Sequence, residues 1–206
     1  VNLTAGRDSV QILSGPKTPV WRYSATLREG GDPAGLQTLE GSYLGPIFRV
    51  RQGQRVQVQL KNEMDDPTII HWHGLRVPEA MDGHPKYVIG PGKTYSYDFT
   101  VRNRAGTYWF HPHPHQMTGF QAYYGLAGMF IVSDEEESAL GLPSGEYDLP
   151  LVIQDRLFDS ANNLVYMSSM MDQMTGFVGD TILVNGKAQA VFRLKSAAYR
   201  LRLLNG

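Results

Sequence analysis

A chain of 206 residues with 42% hydrophobic and 19% charged side chains has an ordinary globular composition and is long enough to bury a core. Its formal charge of −1, with Lys and Arg scattered, argues against a nucleic-acid or anionic-membrane surface, and no apolar run approaches the roughly 20 residues that span a bilayer. The absence of cysteine excludes disulfides, zinc–thiolate sites, iron–sulfur clusters and catalytic thiols, and also a blue-copper centre, which needs a Cys thiolate beside its His ligands.

The N-terminus, Val1-Asn2-Leu3-Thr4, has no basic stretch followed by an apolar one, so no signal peptide is visible. Gly45-Pro46 and Gly53 mark turns. Arg55 to Leu60 and Thr94 to Phe99 then alternate polar and apolar side chains, the period of half-buried strands. Gly83, Gly90-Pro91-Gly92 and Gly106 punctuate the middle of the chain with turns. Gly128 to Val132 and Leu149 to Ile153 are apolar runs of strand length, and Asp134 to Leu140 reads as an acidic helical turn. Tyr166 to Met174 reads as a second one, with Met167, Met170, Met171 and Met174 along one face. Asn162-Asn163 and Asn185-Gly186 are further turns, and Tyr199 to Leu203 alternates again.

Many short strands with Gly and Pro turns predict an all-β fold, a β-sandwich or small barrel. The polar stretch Ser133 to Gly145 places a boundary, giving a first domain over 1–140 and a remainder over 141–206. The remainder holds too few strands for an independent domain. The chain stops at Leu203-Leu204-Asn205-Gly206, directly after a strand pattern, as if it continued elsewhere. The apolar half-core after residue 141 is then expected to be sticky or disordered unless another polypeptide covers it.

Five of the six histidines fall in two groups, His71-Trp72-His73 and His111-Pro112-His113-Pro114-His115. On an extended strand, residues i and i+2 share a face, so His71 pairs with His73 and His111 with His113. Two such pairs on neighbouring strands converge on metal, and imidazole suits copper, zinc and nickel. A single histidine on a strand is more often a hydrogen-bonded surface residue, but two His-x-His pairs are poorly explained that way.

The stretches Ile69 to Leu75 and Tyr108 to His113, followed by Gly125 to Val132, closely resemble the first cupredoxin domain of multicopper oxidases. Gly45 to Gly53 is similar to that domain's leading strand. Gly179 to Gly186 and Leu201 to Asn205 resemble the opening of the second domain. The nearest likeness is to bacterial laccase-like enzymes and periplasmic cuprous oxidases, and it spans nearly the whole chain. It implies a cupredoxin-like Greek-key β-sandwich plus the start of a second cupredoxin domain. It also implies an enzyme that couples one-electron oxidation of phenols or metal ions to reduction of dioxygen to water.

On that resemblance, His71 matches a ligand of the type 2 copper, and His73, His111 and His113 match ligands of the type 3 pair. This chain then contributes half of a trinuclear cluster. The type 1 copper and the other half lie in the remaining domains of the same oxidase, its implied partner, and the isolated chain is expected to be inactive. Asp82 matches a carboxylate kept near the cluster, suited to proton relay or to orienting water and a ligand imidazole; it also reads as half of an Asp-Gly turn. A periplasmic or extracellular location follows by analogy.

Other residues draw quieter readings. His115 is expected beside the cluster or facing solvent, and His84 in a loop. Trp72, Trp109 and Phe110 are expected to pack the ligand strands. The methionines are more readily core filler or adaptable surface than copper(I) ligands. A stand-alone copper-binding module without oxidase activity is the main alternative; relatives that lose copper also lose the histidines, and here all four are present. A cupin-type dioxygenase, with Glu79 after His71-x-His73, needs a further His where Tyr95 stands.

Overall fold

The computed structural model describes residues 1–167 and 169–206. Its strands are β1 (Asn2–Val10), β2 (Thr18–Thr26), β3 (Leu36–Gln37), β4 (Ile47–Arg51), β5 (Arg55–Asn62), β6 (Ile70–His73) and β7 (Thr94–Thr100). They continue as β8 (Gly106–Pro112), β9 (Gly128–Ser133), β10 (Asp148–Phe158), β11 (Leu164–Val165), β12 (Thr181–Val184), β13 (Lys187–Ala188) and β14 (Arg200–Asn205). Among the described residues three short α-helices interrupt them: α1 (Thr118–Tyr123), α2 (Glu135–Ala139) and α3 (Met170–Thr175). No helix among the described residues is long and apolar enough to cross a membrane.

Two sheets make the predicted sandwich, one in the order β2-β1-β5-β7 and the other β3-β4-β9-β8-β6. In β5 the alternation of Arg55 to Asn62 becomes strict alternation of exposed and buried side chains, so Val56, Val58 and Leu60 enter the core. They meet Phe48, Trp72, Tyr97, Phe99, Phe110 and Phe130, a largely aromatic interior centred on the fully buried Trp72.

The β4–β9 sheet is buried on both sides. Phe48, Phe130 and Val132 face the sandwich core, while Ile47, Met129 and Ile131 face a second core shared with Val152, Leu164 and Leu183. That second core docks a third sheet, β11-β10-β12-β13 with β14 also paired to β10. The third sheet is thus clad on one face by the first sandwich, while Ile182, Leu201 and Leu203 leave an apolar face exposed.

In the third sheet the alternation at the chain's end sets Leu201 and Leu203 together on one face, 53% and 61% exposed, and Arg202 on the other, 5% exposed. Arg202 points inward because its guanidinium meets the Asp148 carboxylate at 2.7 Å, with Glu137 at 3.5 Å. A buried charge tolerates that position only when paired.

The helical reading of Asp134 to Leu140 is realised in α2, capped by Asp134, whose carboxylate accepts from the Glu137 amide. The reading over Tyr166 to Met174 holds only in part. α3 begins at Met170, with a capping box between Ser169 and Asp172, Met167 has φ of 52°, and residue 168 lies outside the described residues. Met170, Met171 and Met174 are 77%, 62% and 75% exposed, so they are not core filler.

Candidate metal centre

β6 and β8 run antiparallel with His71 opposite His111 and Trp72 opposite Phe110. Side chains alternate across a strand, so one set of residues goes to each face. Ile70, Trp72 and Phe110, each 0% exposed, anchor the pair in the aromatic core, which leaves His71, His73, Trp109 and His111 together on the opposite face. His113 lies one residue past β8, its amide donating to the Ile69 carbonyl at 2.9 Å, which carries the pairing on to the last of the four histidines.

The imidazoles form one cluster. Ring centroids lie 5.5 Å apart for His71 and His73, 5.3 Å for His71 and His111, and 5.2 Å for His71 and His113. His73 is 5.4 Å and His113 6.1 Å from His111. His71, His73 and His111 each offer a nitrogen within 4.8 Å of the others. All four predicted ligands thus come together, with three tightly grouped and His113 at the margin.

The ring nitrogens are sorted by their neighbours. His71 Nδ1 lies 2.8 Å from the Asp82 carbonyl, His113 Nδ1 3.2 Å from the Gly83 carbonyl and His111 Nδ1 2.8 Å from the Pro112 carbonyl. A carbonyl only accepts, so each of these Nδ1 atoms carries a hydrogen and Nε2 is the atom left to bind metal. His73 differs: its Nδ1 faces His111 Nε2 at 3.2 Å, so Nδ1 is its inward atom.

Burial, reinforced by the neighbouring His71, His73 and His113, lowers His111 to about 4 despite the opposing Pro112 contact. Burial and then His71 lower His73 as well. Imidazole nitrogens aimed at one another across 5–6 Å ring separations fit a transition-metal ion of the copper or zinc kind.

Asp82 sits in the loop between β6 and β7, with its carboxylate Oδ1 3.3 Å from His71 Nδ1. The loop is pinned by Tyr87, which donates to Glu79 at 2.9 Å, and by the Asp98 amide on Met81 sulfur at 3.2 Å. His84, as expected for a loop residue, accepts from the Lys86 amide and is exposed; His115 is exposed and outside the cluster. Trp72 and Phe110 pack as expected. Trp109 does not join them: its ring stacks on His73 at 5.1 Å and lies 4.3 Å from His111, buttressing the imidazoles from their own face. Sequence parity, 109 with 111 and 113, held that signal.

A sequence profile described as multicopper oxidase matches residues 21–137, more than half of the chain and all four clustered histidines. The chain belongs to the multicopper oxidase family. A multicopper oxidase of Staphylococcus aureus is 40% identical over 166 residues, covering 81% of this chain and 36% of that protein. A cell division protein, FtsP, of Escherichia coli is 34% identical over 177 residues, covering 85% and 37%. Among solved structures, the McoA multicopper oxidase of Aquifex aeolicus superposes on all of this chain and 42% of its own with a TM-score of 0.83 at 41% identity.

The chain therefore spans about two fifths of the multicopper oxidases it matches. The likeness to such oxidases and laccases settles the cupredoxin class of the β-sandwich, and membership of the family implies copper.

Proposed function

We propose that His71, His73, His111 and His113 hold copper as half of a trinuclear cluster, His71 on the type 2 ion and the other three on the type 3 pair. The observation that supports this most is the donor sorting: His71, His111 and His113 present Nε2 and His73 presents Nδ1 toward one face. Copper bound there supplies the one-electron chemistry by which dioxygen is reduced to water in an assembled oxidase.

This chain's own residues bind and orient. Trp109 blocks one side of His73 and His111, and Asp82 stands beside His71 with its carboxylate 43% exposed, placed to pass a proton between solvent and the cluster. The electron-entry copper, the other half of the cluster, and the phenol or metal-ion substrate belong to the remaining domains of a longer oxidase, at work in the periplasm or outside the cell.

The same reading assigns residues 1–140 to a first cupredoxin domain and 141–206 to the opening of a second. The outward apolar face of Ile182, Leu201 and Leu203 supports it, since it has the composition of a core surface. The reading is tested by anaerobic copper titration with electron paramagnetic resonance, and by oxygen uptake once the remaining domains are present. Copper binding that His111→Ala abolishes, weak in this chain alone, and uptake only in the assembled protein are expected; no copper binding by the intact four-histidine chain overturns it.

A second reading, copper binding without oxidase activity, has one observation in its favour: the match to a protein named for cell division. Copper retention without oxygen uptake in the assembled protein selects it.

A further inference from the structure

We infer that the Asp82–Gly83 backbone is a clamp that fixes the tautomers of two imidazoles, one from each His-x-His pair, and that Gly83 is the positioning residue that brings it into reach. The inference rests on the copper reading of the cluster, and deepens it by naming what selects the coordinating nitrogens of His71 and His113.

Two consecutive carbonyls are involved. Asp82 O accepts from His71 Nδ1 at 2.8 Å, and Gly83 O accepts from His113 Nδ1 at 3.2 Å. His71 and His113 stand on different motifs, 42 positions apart in sequence (113 minus 71), yet a single peptide unit and its neighbour orient both. Such outer partners fix ring orientation and which nitrogen is left to bind metal.

The clamp reaches them because Gly83 lies directly on the strand. A Cβ there would sit 1.8 Å from the Ile70 carbonyl oxygen, 2.4 Å from its carbon and 2.7 Å from the His71 nitrogen. All three are backbone atoms that cannot rotate aside. Gly83 also has φ of +74°, in the left-handed region.

The strand cannot retreat instead. The Ile70 amide donates to the Tyr97 hydroxyl at 2.9 Å, and that hydroxyl donates to the Ile70 carbonyl at 3.1 Å. Tyr97 is 1% exposed and Ile70 0%. Any side chain at 83 must therefore lift the loop until its Cβ clears 3.0 Å, taking both carbonyls away from the rings.

The molecule supplies its own controls. His111 takes its carbonyl from Pro112, its immediate neighbour, so the loop does not govern it. Gly92 has φ of +72° and nothing within 4 Å of its would-be Cβ, so Gly92→Ala repeats the left-handed backbone cost without the collision.

The test is imidazole nitrogen NMR on the metal-free, 15N-histidine-labelled 206-residue chain, at a pH where free imidazole is neutral. Wild type is expected to show the Nδ1–H tautomer at His71, His111 and His113. In Gly83→Ala, His71 and His113 should become mixed or switch to Nε2–H while His111 keeps its tautomer, and copper affinity should fall by about 10- to 100-fold. Gly92→Ala should change neither. Retention of Nδ1–H at both His71 and His113 in a folded Gly83→Ala chain overturns the clamp, as does Nε2–H at either one in wild type.

Should Gly83→Ala fail to fold, scalar couplings across the hydrogen bonds from the two rings to 13C-labelled Asp82 and Gly83 carbonyls decide the matter in wild type, and their absence overturns it. A chain that shows all these tautomers and couplings but binds no copper leaves the clamp standing and removes the copper reading alone.

Discussion

The first sandwich and the third sheet are both built from alternating strands, but they bury opposite kinds of face. Between β5 and the β4–β9 sheet the interior is apolar and aromatic, with Trp72 ringed by Phe48, Tyr97, Phe99, Phe110 and Phe130 at 5.3–5.9 Å. The face of the third sheet that docks on this sandwich is mixed. Val152 and Leu183 share it with Asp148, Gln154, Arg156 and Arg202, all buried. Gln154 accepts from the Tyr43 hydroxyl at 3.0 Å, Arg49 lies 3.6 Å from Asp148, and the Arg156 guanidinium lies over the Tyr123 ring at 4.5 Å. Meanwhile Ile182, Leu201 and Leu203 point outward.

The apolar interior backs the histidine strands, whereas the mixed face of the third sheet meets the sandwich through paired polar groups.

The largest expected effect lies in that apolar interior. Trp72→Ala removes the core ring that anchors the strand carrying His71 and His73, and should cost about 3–5 kcal/mol in urea unfolding together with copper retention. A loss below 1 kcal/mol, with copper retained, would contradict the claim that this core positions the ligands.

At the docking face, Leu183→Ala, at a position 0% exposed, should cost about 2–5 kcal/mol, because Leu183 belongs to the core shared with Ile47 and Ile131. If unfolding of this variant split into two transitions, the two regions would be less tightly coupled than their common core indicates.

Acid separates the regions differently. His111 is lowered to about 4 from its ordinary 6.5, so the unfolded chain binds a proton that the folded chain refuses between those values. Stability therefore rises with pH across that window, is level above it, and is lost as pH falls from 6.5 toward 4, by up to about 3 kcal/mol. His73, lowered in the same direction, adds to it. Amide exchange should show β6 and β8 losing protection on acidification; an unfolding midpoint flat between those pH values contradicts the assignment.

The smallest effect is expected on the outer face, where Leu203→Ala should change the stability of this chain by less than about 0.5 kcal/mol. A loss comparable to that of Leu183→Ala, measured the same way, would mean that the face is already covered in solution.

Much of this was legible in residue order. The alternation of β5, the two His-x-His pairs and the absence of cysteine suffice for an all-β, histidine-rich metal centre lacking a thiolate, because period two and ligand chemistry are local properties. His71 and His111 face each other because both pairs sit at the same parity on adjacent strands. The inward turn of Arg202 was not legible, since alternation names two faces without saying which is covered, and its carboxylate partners Asp148 and Glu137 are 54 and 65 positions away. Nor was Gly83, which reads as an ordinary Asp-Gly turn.

Sequence alone determined the strand periodicity and the donor atoms on offer, since both are written in neighbouring residues. Only the tertiary structure decided which nitrogen each histidine presents and which face of the third sheet is buried. For His71, His113 and the third sheet, both depend on backbone carbonyls and charges brought within 4 Å by other chain segments, and no local pattern encodes that approach; only His111 takes its carbonyl from its neighbour.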